Sequence, residues 1–260
     1  MLQEPVVADM FYPGDPKELR AMLERFFSAA KGKDLPIPRA IITPHAGYIY
    51  SGPIAASAYA CLFQKKTKIK RVIILAPAHR YSLTGIATSS ADAFLTPLGE
   101  IPIDKAALAK ITKFAHVSII DKAFATEHSL EVQLPFLQFA LGDFSLIPLL
   151  VGACSANEIA VLLEKLVDDE STLIVVSSDL SHYHDYKTAE RIDSETIANI
   201  LDLNMANLSG ERACGYIPIS GLLMFAKNKA WKARLIDLRN SGDTAGDKNH
   251  VVGYAAIHFD

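Results

Sequence analysis

Short runs of β-branched and other apolar residues recur along the chain: Arg39–Thr43, Arg71–Ala76, Phe144–Val151, Thr172–Ser177 and Val251–Ile257. Their nearly unbroken apolar character is that of strands covered on both faces. Between them, apolar residues fall at helical spacing over Pro53–Phe63, Asp104–Phe114, Ala156–Val167, Thr188–Leu201 and Ile217–Lys227. Strand alternates with helix, which predicts an α/β fold with a central mixed, largely parallel sheet flanked by helices.

The mixture comes from two places. Gly85–Ser89 and Ala93–Thr96 have the spacing of a hairpin, and Trp231–Leu238 can pair with the final strand. Near the start, Asp15-Pro16-Lys17-Glu18 supplies an N-cap, a proline at the first helical position and an acid in the first turn, which predicts a helix running to about Ala30. No internal repeat, low-complexity tract or Ser/Gly linker divides the chain, so residues 1–260 are expected to form one domain.

Composition narrows the function classes. A chain of 260 residues that is 50% hydrophobic can bury a large core without disulfide staples. Its net charge of -3, with signs interspersed, offers no basic field for a nucleic-acid backbone. The densest basic run, Lys65-Lys66-Thr67-Lys68-Ile69-Lys70-Arg71, joins a helix-like stretch to a strand-like one and reads as a solvated connection. The first residues lack the basic and apolar regions of a signal peptide, and no apolar stretch is long enough to span a bilayer, so a cytoplasmic protein without membrane contact is expected. Cys61, Cys154 and Cys214 are too scattered for a disulfide framework or a paired-cysteine metal site.

The chemistry collects at strand ends. Ile41-Ile42-Thr43-Pro44-His45, Ile73-Ile74-Leu75-Ala76-Pro77-Ala78-His79 and Val175-Val176-Ser177-Ser178-Asp179-Leu180-Ser181-His182 each deliver a histidine just past a predicted strand. Ligands of α/β sheets bind outside those carboxyl ends, so the convergence of these imidazoles, rather than any one of them, predicts a site. Neutral imidazoles ligate divalent metals, and an anionic donor from elsewhere would complete the set. Asp179, Glu127, Glu131, Asp243 and Cys214 are the candidates. Cys214 lies beside Arg212 and just before a helix-like stretch, both of which favour a thiolate, whereas Cys61 and Cys154 sit in apolar surroundings and read as inert. Asp179 and His182 are spaced for a carboxylate that orients a general base. His128 and Glu131 have the spacing of a helical HxxE ligand pair, but the strand-end histidines already supply a site, so this segment reads as capping and hydrogen bonding.

The chain resembles the Memo family along nearly its whole length. The resemblance rests on Met10–Pro16, Thr43-Pro-His-Ala-Gly-Tyr-Ile-Tyr-Ser-Gly52, Ala76-Pro-Ala-His79, Glu127-His-Ser-Leu-Glu-Val-Gln-Leu-Pro-Phe136, Ser177-Ser-Asp-Leu-Ser-His182, Ala213-Cys-Gly215 and Gly242-Asp-Thr-Ala-Gly-Asp247, in that order. It implies a fold similar to the LigB-type class III extradiol dioxygenases, which hold Fe(II) with two histidines and a glutamate. It implies further that His45 and His79 are metal ligands, that Cys214 stands where those enzymes have the carboxylate, and that His182 matches their acid/base histidine. A soft thiolate shifts preference toward copper or zinc, with iron retained as a candidate. Prokaryotic members often accompany AMMECR-type and radical SAM proteins in the AmmeMemoRadiSam association, and eukaryotic relatives bind phosphotyrosine peptides and are linked to copper-dependent redox chemistry and iron handling.

Three functions follow as expectations. In the first, His45, His79 and Cys214 hold iron or copper, His182 with Asp179 moves protons, and dioxygen or a small organic substrate takes an open position. In the second, the same pocket binds a small anionic ligand or a phosphotyrosine-type peptide without turnover. In the third, Cys214 is a nucleophile activated by a histidine.

Overall fold

The computed structural model describes residues 1–65, 69–167 and 170–260. The basic run at Lys65–Arg71 therefore falls partly on residues, Lys66 to Lys68, outside those described. The first half of the chain forms Leu2–Gln3 (β1), Pro16–Ala29 (α1), Ala40–Thr43 (β2), Tyr48–Tyr59 (α2), Arg71–Pro77 (β3), Ile86–Thr88 (β4), Ala93–Thr96 (β5), Gly99–Pro102 (β6), Lys105–Ile111 (α3) and Val117–Ile119 (β7). The second half forms Leu134–Leu141 (α4), Ser145–Val151 (β8), Ala156–Leu166 (α5), Thr172–Ser177 (β9), His182–His184 (β10), Tyr186–Leu201 (α6), Tyr216–Asn228 (α7), Ala233–Asn240 (β11) and Val251–Phe259 (β12).

Most strands join one mixed sheet in the order β10-β12-β2-β9-β3-β8-β4-β7, with β11 also paired to β12. Its centre, β2-β9-β3-β8, is parallel throughout. The apolar runs that predicted these strands are buried at almost every position, because helices cover both faces and leave no solvent side for polar alternation. Antiparallel pairs flank the centre: β12 with β2 and β11 on one side, β4 with β8 on the other. Trp231–Leu238 was expected to pair with the last strand, and β11 does so along its length.

The predicted hairpin is not formed. β4 lies in the large sheet between β8 and β7, whereas β5 belongs to a separate small sheet with β1 and β6. The residues between them are used elsewhere: Ser89 and Ser90 donate to the Asp121 carboxylate, and the Asp92 amide donates to the Met1 carbonyl. These long-range bonds separate the two strands.

Local signals fared better where the chain supplies its own partners. Asp15 caps α1 by accepting from the Lys17 and Glu18 amides at 2.8 and 2.9 Å, and Leu19, Leu23 and Phe27 bury one face at helical spacing. No helix among the described residues is long and apolar enough to cross a membrane.

The parallel register decides where the chemistry lies. Thr43 pairs with Ser177, and Leu75 with Val176, so β2, β9 and β3 end side by side. The turn before α7 packs directly onto this edge: the Gly215 amide donates to Ser178 Oγ at 2.9 Å, and a Cβ at Gly215 would stand 2.7 Å from Ser178 Cβ and 2.8 Å from the Ser177 carbonyl oxygen. Gly215→Ala is therefore expected to lower the unfolding free energy by about 1–3 kcal/mol through overpacking. Urea denaturation checks this, and an unchanged midpoint would count against so tight an approach.

Candidate metal centre

His45 leaves β2 through Pro44 and is buried. Its Nδ1 lies 2.9 Å from Ser177 Oγ, whose own proton goes to the Ser129 carbonyl at 2.6 Å and which also accepts from Gln133 Nε2 at 2.8 Å. With the serine proton committed, the His45 ring must donate from Nδ1. Its Nε2 then presents a lone pair.

His79 leaves β3 and meets Glu127. The Glu127 carboxylate accepts from the His79 amide at 2.5 Å and lies 3.1 Å from His79 Nδ1. The same Oε1 is 3.3 Å from His128 Nδ1 and accepts the His128 and Ser129 amides, each at 3.1 Å. Burial would raise this carboxyl, but hydrogen bonds from His79 and Ser129 outweigh it and hold its pKa at about 2. One ionised carboxylate thus faces the Nδ1 atoms of two imidazoles, the arrangement that turns Nε2 of metal-ligating histidines toward an ion.

The rings of His45, His79 and His128 have mutual centroid distances of 5.2 to 5.4 Å, and one ligand atom from each lies within 4.8 Å of the others. This group could hold a metal ion. Burial, followed by the neighbouring imidazoles, lowers the His45 pKa well below the usual range, and burial lowers His128 to about 4 against the pull of Glu127. Both rings are therefore neutral donors near neutral pH, as a divalent first-row ion requires.

The sequence had assigned His128 and Glu131 to one hydrogen-bonding segment, and they part company. Glu131 is structural, accepting from the Val6 and Val7 amides and the Tyr12 hydroxyl. His128 joins the imidazole group. The adjacent Glu127-His128 pair was its only sequence signal, since nothing local shows that both will meet the end of β3. Glu127 is engaged by the His79 ring and by backbone amides, and the Asp243 carboxylate is taken by the Tyr186 hydroxyl and the Asn240 amide.

Cys214 Sγ lies 3.2 Å from His45 Nε2 and accepts the Asp179 amide at 3.3 Å. Burial and then the Asp179 charge push its thiol pKa up to about 12, so without a metal the thiol donates to the His45 lone pair. This corrects the expected thiolate. Arg212 turns away to Glu195 at 3.0 Å, and although α7 begins at Tyr216 just after the cysteine, as expected, burial outweighs it. The four residues expected in one pocket are also divided. His45, His79 and His182 line a cleft of about 680 Å³ together with His128 and Asp179. Cys214 opens onto a neighbouring pocket of about 480 Å³, which shares His79 with the cleft.

Asp179 directs its Oδ1 to the His45 amide at 2.8 Å and also accepts from Ala46, and burial raises its pKa to about 7 against these bonds. Its Oδ2 stands 4.0 Å from His45 Nε2. The expected orienting bond to the His182 ring is not found among the described residues; Asp179 instead fixes the His45 loop. His182, kept below its ordinary pKa chiefly by burial, lines the cleft. Among the described residues no lysine or arginine lines this cleft, and Asp179 and Asp247 do.

The profile of the family described as Memo-like protein matches residues 3–258. A MEMO1 family protein of Methanopyrus kandleri is 36% identical over 282 residues, covering 100% of this chain and 99% of its own. Those of Aquifex aeolicus and Sulfolobus acidocaldarius are 36% and 38% identical over 270 and 285 residues, each covering at least 99% of both chains. The solved structure of an uncharacterized protein from Escherichia coli K12 is similar at a TM-score of 0.49 and 13% identity, covering 84% of this chain and 99% of that one. A profile match over nearly the entire length, with relatives matched end to end, establishes that the chain belongs to the Memo family.

Proposed function

We propose that this Memo-family protein is a metal-dependent oxidoreductase in which His45, His79 and His128 hold iron or copper, with Cys214 as a fourth donor on the His45 side. The observation that carries the reading is the group of three imidazoles beside an open cleft, with the His79 ring held by the buried Glu127 carboxylate and the His45 ring by Ser177. Cys214 fits as a donor because its sulfur stands 3.2 Å from His45 Nε2, and nitrogen and sulfur sharing one tetrahedral ion lie roughly 3.5 Å apart at ordinary ligand lengths.

A bound iron or copper ion would supply Lewis acidity and electron transfer toward dioxygen or a small organic substrate. The protein's own residues do the rest. Glu127 keeps the His79 ring from turning, and Ser177 and Gln133 fix the protonated nitrogen of His45. Asp179 holds the backbone of the His45 loop. His182, neutral in the cleft, accepts a proton from a substrate hydroxyl or amine.

The competing readings have less support. An anion-binding module would have to use imidazoles and loop amides, and among the described residues the cleft sets the Asp179 and Asp247 carboxylates beside them with no lysine or arginine. A cysteine nucleophile needs a thiolate, and Cys214 is held near 12 in the metal-free protein.

Two outcomes are expected. Purified protein takes up one metal per chain, His128→Ala loses stoichiometric uptake, and Glu127→Gln keeps the stoichiometry with affinity about 10–100-fold weaker. Equilibrium dialysis with elemental analysis checks this, and wild-type affinity in His128→Ala would remove that residue from the site. The second outcome concerns pH. Sulfur coordination must displace a proton from a thiol whose pKa is about 12. Metal affinity should therefore rise about tenfold per pH unit between roughly pH 7.5 and 9, and Cys214→Ser should flatten that slope. A flat wild-type profile would exclude the sulfur.

A further inference from the structure

His128 is held differently from the other imidazoles. His45 and His79 leave the ends of sheet strands, whereas His128 lies in the connection from β7 to α4, between the single turns Asp121–Ala123 and Glu131–Gln133. A ring on such a connection keeps one orientation only if its neighbours pack it. Glu127 reaches its Nδ1 at 3.3 Å, a loose contact. The ring also stacks on His79 at 5.2 Å and 17°, and Phe11 packs on it at 4.7 Å and 39°.

Phe11 belongs to an N-terminal strap, residues 6–14, that is fastened on both sides of it. Before Phe11, Glu131 accepts the Val6 amide at 2.7 Å and the Val7 amide at 3.0 Å; after it, the same carboxylate accepts the Tyr12 hydroxyl at 2.6 Å. The Phe11 carbonyl accepts the Tyr48 amide at the start of α2 at 2.8 Å, and the Phe11 amide donates to Val7.

We infer that Phe11 is a positioning residue of the metal centre and that the N-terminal strap completes that centre: Glu131 fastens the strap, and Phe11 holds the His128 ring against His79. The His128/Glu131 spacing thereby gains a reason without both residues being ligands. Glu131 acts on His128 through a segment more than a hundred residues away in sequence. The inference rests on the metal reading for its consequence, but ring placement is a property of the metal-free protein and is tested separately.

The test compares wild type, Phe11→Ala and Phe11→Tyr, labelled on histidine, by two readouts. In metal-free protein, NMR cross-relaxation between the His79 and His128 rings is expected in wild type and Phe11→Tyr and lost in Phe11→Ala. In zinc titrations, Phe11→Ala should weaken affinity about 10–100-fold. Phe11→Tyr should restore it. Cross-relaxation that persists in Phe11→Ala overturns the inference, as does wild-type zinc affinity in Phe11→Ala. If Phe11→Ala does not fold, Phe11→Leu keeps the apolar volume and loses the flat face; wild-type cross-relaxation there overturns the inference too. Should wild type bind no zinc, iron or copper, the metal reading fails while cross-relaxation still decides the positioning.

Discussion

The centre depends on one buried charge. The Glu127 side chain is 1% exposed, a position where a carboxylate is strongly unfavourable unless hydrogen bonds replace its water. Here they do: amides of His79, Arg80, His128 and Ser129 and the His79 ring all point at it. The same bonds that keep Glu127 ionised pull the loop after β3 and the 127–129 turn together. Without them, two imidazoles would share no boundary, and the cleft would have only the His45 side of its donor set. The charge is an anchor first and an electrostatic device second.

The second constraint is sheet register. Parallel pairing of β2, β9 and β3 places His45, Ser177 and His79 along one edge, so a serine at the end of one strand can set the tautomer of a histidine at the end of the next. The strand ends and their histidines were legible in the sequence; the role of Ser177 was not. Continuous apolar runs that end in Pro-His or Pro-Ala-His say both that a buried strand is present and where it stops. The end of a parallel strand is where ligands bind. Asp15 and the pairing of β11 with β12 were legible for the same reason, since their partners are nearby in sequence or dictated by adjacent apolar runs.

What stayed hidden required knowing which distant segment supplies a partner. His128 looks like a surface polar residue until Glu127 is seen to bridge it to His79. Cys214 has a basic neighbour and a following helix in sequence, yet Arg212 turns to Glu195 and the sulfur is enclosed beside Asp179, so the expected thiolate is a thiol. The hairpin failed likewise. Short β-branched runs at β4 and β5 declare strands without declaring partners, and bonds from Ser89, Ser90 and Asp92 to remote residues carry the second strand to another sheet.

In this Memo-family protein two of the imidazoles that could hold an ion are fixed in the metal-free chain, His45 by Ser177 and His79 by Glu127. The central claim is that these imidazoles, with the Cys214 sulfur, form a single first coordination sphere. X-ray absorption at the edge of the bound metal tests it most directly. The account predicts imidazole multiple scattering from several rings together with one sulfur at about 2.3 Å. A shell of oxygen donors without imidazole scattering would contradict it.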